Sequence, residues 1–294
     1  MLIWPGQSQG GVIMRRCCTV ALLMALAVPF GARCEEPARP LPADGKCQIP
    51  ADGYWTRQER FVWERVCVGD LADFNKGDDY GGKLDPKDPN GLPASRILRP
   101  SFLETILLEH KYRRVLTRRG VRINGARFTE SLELRNAVLG HELWLNRSLF
   151  EKDVDFDHLR STRTITFDES KIAGLLKMVE AQVGEGISAR DGEFANVNFS
   201  GAHVGQTLDL RGSKVTGTLN MSDLQVNQNL FMTNISTFAK VDLTAAHIGK
   251  MLILSGSKVA ETLVMNWLYV GQALLMRDKA EFAEVQLGGA HISG

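Results

Sequence analysis

About the last hundred residues of the chain repeat at an interval of 44, and this repeat constrains the fold more than any other feature. Phe194, Phe238 and Phe282 fall at that interval, as do Val197, Val241 and Val285 and the pairs Ala202-His203, Ala246-His247 and Ala290-His291. Between these anchors Gly212-Ser213-Lys214-Val215 returns as Gly256-Ser257-Lys258-Val259, and Leu219, Met221, Leu230 and Met232 return as Leu263, Met265, Leu274 and Met276. Self-similarity of this kind is the signature of a stacked-repeat architecture, in which each unit buries its apolar side against the next.

Within the 44 runs a finer beat of 11: Leu252-x-Leu254, Ser257-x-Val259, Leu263-x-Met265, Leu268-x-Val270, Leu274-x-Met276. An i, i+2 pair places both side chains on one side of an extended segment, so each pair is a very short strand facing inward. Two or three residues between pairs leave room for a corner but not for a helix or hairpin. Four such corners close a coil of about 22 residues, with parallel strands stacked at roughly 4.8 Å per coil. The expected fold is mainly β: a right-handed parallel β-helix of four-sided coils, with a narrow dry core of Leu, Val, Ile and Met. Small residues at alternate first positions (Ala202, Ser213, Ala246, Ser257, Ala290) leave space for larger neighbours.

These faces resemble those of the quadrilateral pentapeptide-repeat proteins, with one extra residue on alternate sides. They resemble more closely the bacterial envelope proteins with G-A-x-[VIF]-x-x-x-L-x-L repeats, here Gly125-Ala126 through Leu134 and Gly201-Ala202 through Leu210. The resemblance covers about Gly120 to Gly294, implies the β-helix fold alone, and carries over no catalytic residue. Upstream the pattern degenerates. Val154-Asp155-Phe156 and Ser170-Lys171-Ile172 match the next unit at an offset of 43, so one residue is missing between them and the later copies. Roughly eight coils and a length near 40 Å are expected at 4.8 Å per coil.

Four regions are expected: a signal peptide over 1–34, a linker over 35–54, a helical cap over 55–119 and the β-helix over 120–294. Arg15-Arg16, the apolar run Cys17–Phe30 and the small pair Gly31-Ala32 have the layout of a secretory signal, too short for a membrane span. Met14 is the expected start, and cleavage falls after Ala32 or after Cys34. The expected location is the periplasm or cell envelope; the alternative is an inner-membrane anchor formed by an uncleaved N-terminus. Cleavage after Cys34 leaves Cys47 and Cys67, which read either as a disulfide or as two buried thiols. The oxidising compartment favours the bridge, whose loop of about 20 residues contributes about 3 kcal/mol by the chain-entropy model. In the cap, Thr56-x-x-Glu59 and Ser101-x-x-Glu104 read as capping boxes, each leading an apolar stripe: Phe61, Val62 and Val66, then Phe102, Leu103, Ile106 and Leu107. The two helices are expected to cover the first coil's open strand edges.

The repeat's histidines suggest a metal site, but His203 and His247 lie two coils apart, roughly 9.6 Å at 4.8 Å per coil. One zinc ion takes its ligands at about 2 Å. Gln225 and Tyr269 fall between them, giving an outward ladder His203, Gln225, His247, Tyr269, His291 that is either a binding strip or plain surface. Lys171, Lys214 and Lys258 form a second sparse column. A chain with 35 Lys plus Arg against 34 Asp plus Glu lacks the basic stripe that nucleic acid requires. Gly184-x-Gly186-x-x-Ala189 is expected to be a corner rather than a nucleotide loop, and Asp73-x-Asn75-x-Gly77-Asp78 a polar turn rather than a calcium loop. No cofactor or metal is expected.

Parallel β-helices can also carry carbohydrate-active sites, which need clustered carboxylates on one outer face. Here Asp242 shares its column with Asn198, Asn220, Val264 and Gln286, and Asp209 shares its column with Phe231 and Ile253. The expected function is therefore an exported structural or interaction module of the envelope. The alternatives are a carbohydrate-active β-helix enzyme or a non-functional fragment of a longer repeat protein. Gly289-Ala290-His291-Ile292 opens a new unit, so truncation, or end-to-end self-association through an uncapped coil, is a further expectation. The partner class is a protein or an envelope polysaccharide.

Overall fold

The computed structural model describes residues 47–50, 54–88 and 91–294; the expected signal peptide and most of the linker lie outside the described residues. From Val121 to Ile292 the chain winds through eight coils, whose strands are all parallel to those of the coils above and below. Among the described residues the strands form three sheets, of nine, ten and eight strands. The three sheets make four sides because the second wraps a corner. In the second coil its strands Leu149–Phe150 and Val154–Asp155 are separate, and both pair with the single strand Lys171–Lys177 of the third coil. Within that long strand the register slips between Ile172 and Leu175, and this bulge bends the strand round the corner.

The bulge also explains why the sequence repeats at two coils rather than one. The corner-wrapping strand has seven residues in the third, fifth and seventh coils (Lys171–Lys177, Lys214–Asn220, Lys258–Val264) and six in the fourth, sixth and eighth (Glu193–Asn198, Thr237–Asp242, Glu281–Gln286). The sixth and eighth coils restore the count with an extra residue at the preceding corner, where Asn234-Ile235 and Asp278-Lys279 are consecutive left-handed residues. The fourth coil has only Asp191 in that conformation at the corner, so Ile187 pairs with Leu208 at an offset of 21. The residue missing from the repeat is missing there.

The interior holds the expected inward pairs: Leu219, Met221, Leu263, Met265, Leu268 and Val270 are fully buried. Phe128 and Phe150 stack face to face in successive coils, with centroids 4.7 Å apart. Ser213 and Ser257 are buried as expected and do more than save space. With Ser148, Ser170 and Ser236 they form a column at the corner entering the second sheet, and their hydroxyls donate to carbonyls there, for example Ser213 Oγ to Ala189 O at 2.6 Å and Ser170 Oγ to Leu145 O at 2.8 Å. Each buried hydroxyl thus finds a carbonyl partner at the turn, as a polar group in a dry core must.

The cap folds around two helices, α1 (Arg57–Val66) and α2 (Pro100–Leu108), followed by the single turn α3 (His110–Arg113). The capping box at the head of α1 forms: Glu59 N donates to Thr56 Oγ1, and Thr56 N donates to Glu59 Oε2 at 2.8 Å. The one expected at Ser101 does not form. Pro100 occupies the first helical position of α2, where its fixed φ suits a helix start, so the N-cap is Arg99 and Ser101 lies inside the first turn. The α2 stripe is buried as expected, and Trp55, Trp63, Phe102 and Tyr112 form an aromatic cluster with centroid separations of 5.1–5.8 Å.

Both helices pack on the first coil, and backbone pairing completes the cover. Ala72–Asp73 adds a parallel strand to Ile123–Asn124, and Ile97 bridges to Arg127. Arg96, fully buried, fastens this region: its guanidinium donates to Tyr80 O and Asn75 Oδ1, each at 2.8 Å, and to Gly82 O. Cys47 and Cys67 are bonded, with Cα atoms 5.9 Å apart, tying the start of the described chain to the end of α1. No helix among the described residues is long and apolar enough to cross a membrane.

Candidate functional site

The third sheet carries the ladder. Each of its strands has two residues, one pointing out and one in: His203-Val204, Gln225-Val226, His247-Ile248, Tyr269-Val270, His291-Ile292. The register pairs His203, Gln225, His247, Tyr269 and His291 in turn, so all five stand in one column. Neighbouring side chains touch at three of these four steps. His203 Nδ1 lies 3.1 Å from Gln225 Oε1. The rings of His247 and Tyr269 stack at 4.4 Å and 9°, and those of Tyr269 and His291 at 5.5 Å and 12°.

The column also runs further toward the N-terminus, through Gln182, Arg160 and Val138. The 44-residue phase misses these because the step from Gln182 to His203 is 21 residues, a consequence of the short fourth coil. A search for outward polar residues before inward valine or serine (Arg160-Ser161, Gln182-Val183) would have found them. Two residues ahead of each outward side chain the chain turns through a left-handed residue: His158, Glu180, Gly201, Asp223, Ala245, Trp267 and Gly289 in successive coils. Side chains of this corner column wall the strip. Beside Arg160, Gln182, His203 and Gln225, the residues His158, Glu180 and Asp223 enclose an open groove of about 690 Å³. His158 Nδ1 lies 3.4 Å from Glu180 Oε2. On the other flank stand Gly184, Gly205, Gly249 and Gly271. A Cβ on Gly205 would lie 2.1 Å from Gly184 O, one on Gly249 2.3 Å from Asn227 O and one on Gly271 2.2 Å from Gly249 O, so this shelf is bare backbone except where Asn227 interrupts it.

The other candidates resolve differently. The lysine column is interleaved: the register runs Lys171, Glu193, Lys214, Thr237, Lys258, Glu281, and Lys258 Nζ meets Glu281 Oε2 at 2.7 Å. Lysines thus alternate with Glu193, Thr237 and Glu281, and the column carries no continuous positive charge. Gly184 and Gly186 occupy the corner between Gln182–Val183 and Ile187–Ser188. Asp73 Oδ1 accepts from Asn75 N at 3.0 Å, and Asn75 Oδ1 accepts from Leu84 N and Arg96, so that segment is a polar turn bound to the cap.

The acidic columns run as the repeat implies, Asn198, Asn220, Asp242, Val264, Gln286 and Asp209, Phe231, Ile253. Several carboxylates on the outer faces are held by arginine: Asp155 by Arg135, Asp168 by Arg190 and Asp209 by Arg211, each at 2.5 Å. Burial pushes the Asp155 carboxyl up, but the Asp157 N–H and the Arg135 guanidinium bring it below the usual carboxylate range. Such a carboxylate stays ionised and engaged, which suits neither a general acid nor a free base. Among the described residues no group of three or more His, Cys, Asp or Glu is placed to hold a metal ion.

Fold and site together define a parallel β-solenoid with one unbroken outward polar and aromatic strip. No protein-family model, curated protein or solved structure matches the chain.

Proposed function

We propose that the chain is an exported structural or interaction module of the cell envelope, acting through its regular outer surface rather than by turning over a substrate. The observation that carries this reading is the bond between Cys47 and Cys67. Such bonds persist in oxidising compartments and are rare where glutathione and thioredoxin keep thiols reduced. The secretory layout of Arg15-Arg16 and the apolar run after them agrees with it. So does the engagement of outer-face carboxylates with arginine, which leaves the faces rigid and chemically quiet.

The test is cell fractionation followed by intact mass with and without reductant. The expected product lies in the periplasmic or envelope fraction, begins near residue 35 and gains about 2 Da when one disulfide is reduced. A membrane-bound product that keeps its N-terminus would replace the cleaved form with an anchored one. Full-length protein in the cytosol with free thiols at Cys47 and Cys67 would overturn the proposal.

A further inference from the structure

Building on that reading, we infer that the outward face of the third sheet binds a neutral, extended polysaccharide laid along the stack axis. The strip offers one hydrogen-bonding side chain per coil at a rise of about 4.8 Å, a linear array suited to a linear polymer. Its two halves differ. From the second to the fifth coil it is the groove walled by His158, Glu180 and Asp223. From the sixth to the eighth it is aromatic, and because His247, Tyr269 and His291 stack on one another, their edges, with ring nitrogens and the phenol, are what face outward.

Trp267 is the second, independent observation. It is 70% exposed, so it contributes little to the core, and it occupies a left-handed backbone position (φ 58°) where glycine would be unstrained. Its indole lies over Gly289, one coil on, where a Cβ would come within 2.5–2.9 Å of the six-membered ring. An exposed indole held at the edge of a polar strip is a platform for the apolar C–H face of a pyranose. Amides, imidazoles and carboxylates in the adjoining groove pair with hydroxyls.

Other occupants fit less well. An extended peptide recognised by strand addition needs an unpaired backbone edge, whereas along the strip the strands from Arg160–Ser161 to Tyr269–Val270 are paired on both sides and the open edge lies at His291–Ile292, across the end of the strip rather than along it. A polyanion needs a continuous row of cations. Here Arg160 is followed in its column by Gln182, His203 and Gln225, and the wall beside them carries Glu180 and Asp223. An apolar partner helix needs an apolar groove, and this one is lined by charged and amide side chains.

The experiment is calorimetric titration of the folded, disulfide-bonded protein with dextran, galactomannan and a mixed-linkage glucan, with heparin as the polyanion. Each is run at about 50 and 500 mM salt, a range over which counterion release would weaken polyanion binding by orders of magnitude. Binding to at least one neutral glycan is expected, with affinity unchanged within about twofold across the salt range. Trp267→Gly and His203→Ala should each weaken it about tenfold, or 1.4 kcal/mol. Because Trp267→Gly relieves backbone strain, its melting temperature should stay level or rise, which separates lost binding from lost fold. No heat with any neutral glycan, salt-sensitive binding to heparin alone, or variants that bind like the parent would overturn the inference. Those outcomes leave the export reading standing, since mass and compartment test that reading separately.

Discussion

Glu59→Gln tests how the cap is held. The Glu59 side chain is fully buried, and its carboxylate accepts from Thr56 N at 2.8 Å, Arg99 Nε at 2.8 Å and Arg99 Nη2 at 2.6 Å. It thus closes the α1 capping box and ties α1 to the start of α2. Glutamine keeps the volume but loses the charge, and turns an N–H₂ group toward groups that only donate. A hydrogen bond to a charged group contributes about 1.5–3 kcal/mol, and removing one partner of a buried pair costs about 3–5. Arg99 is 34% exposed and regains water, so a net loss of about 2–3 kcal/mol is expected, toward the lower end of those figures.

In a solenoid that loss should open the cap while leaving distant coils intact. Hydrogen exchange by mass spectrometry should therefore show protection of α1 and α2 falling about 30- to 150-fold, since 1.4 kcal/mol is a factor of ten. The coils beyond Lys214 should keep theirs. The pH dependence follows from the sign of the Glu59 shift. Burial pushes its carboxyl up, but the Arg99 guanidinium and the Thr56 N–H outweigh burial and hold it below the ordinary value of 4.5. A depressed folded pKa gives stability that is fully present above the unfolded pKa and is lost as pH falls through the folded one. The gap between parent and variant should be complete at neutral pH and close on acidification below about 4.5. Unchanged exchange in α1 at neutral pH, or an equal drop in every coil, would refute this account of the cap.

Three further substitutions probe the coils and their cover. Arg96→Met leaves Tyr80 O and Gly82 O without this donor and takes one of two donors from Asn75 Oδ1, so at about 1 kcal/mol or more per lost bond a loss of about 2–3 kcal/mol in cap stability is expected in urea unfolding. Gly205→Ala drives a Cβ against Gly184 O in the coil below, and thermal unfolding should report about 2–3 kcal/mol of destabilisation. Ala245→Gly should act in the opposite direction: Ala245 sits at φ 55°, and relieving that conformation should raise stability by about 1 kcal/mol in the same assay.

The coil stack was legible because i, i+2 apolar pairs separated by two or three residues have very few structural solutions. Identical spacing in successive units then set the ladder's register. Reading failed wherever the signal was shorter than its own period. Ala72–Asp73 and Ile97 complete the edge of the first coil with two residues and one, too few to show alternation. Ser101 looked like an N-cap because Ser-x-x-Glu precedes an apolar stripe, yet Pro100 starts the helix one residue earlier. Arg160 and Gln182 escaped because one residue absent from the fourth coil shifted the phase at which the strip would have been sought. The buried Arg96 gave no sign at all, since its partners, the Tyr80 and Gly82 carbonyls and the Asn75 side-chain oxygen, lie apart in sequence and only the fold assembles them.

Every passage through the third sheet advances the strip by one coil, from Arg160 to His291. Spin labels at these two positions, with Cys17, Cys18 and Cys34 replaced by serine, give the distance directly by double electron–electron resonance. Six steps separate Arg160 from His291 and seven separate Val138 from it. At about 4.8 Å per step the two label pairs should lie near 29 and 34 Å, with narrow distributions. Equal distances for the two pairs, or a broad distribution centred elsewhere, would contradict the stacked solenoid and the binding strip inferred from it.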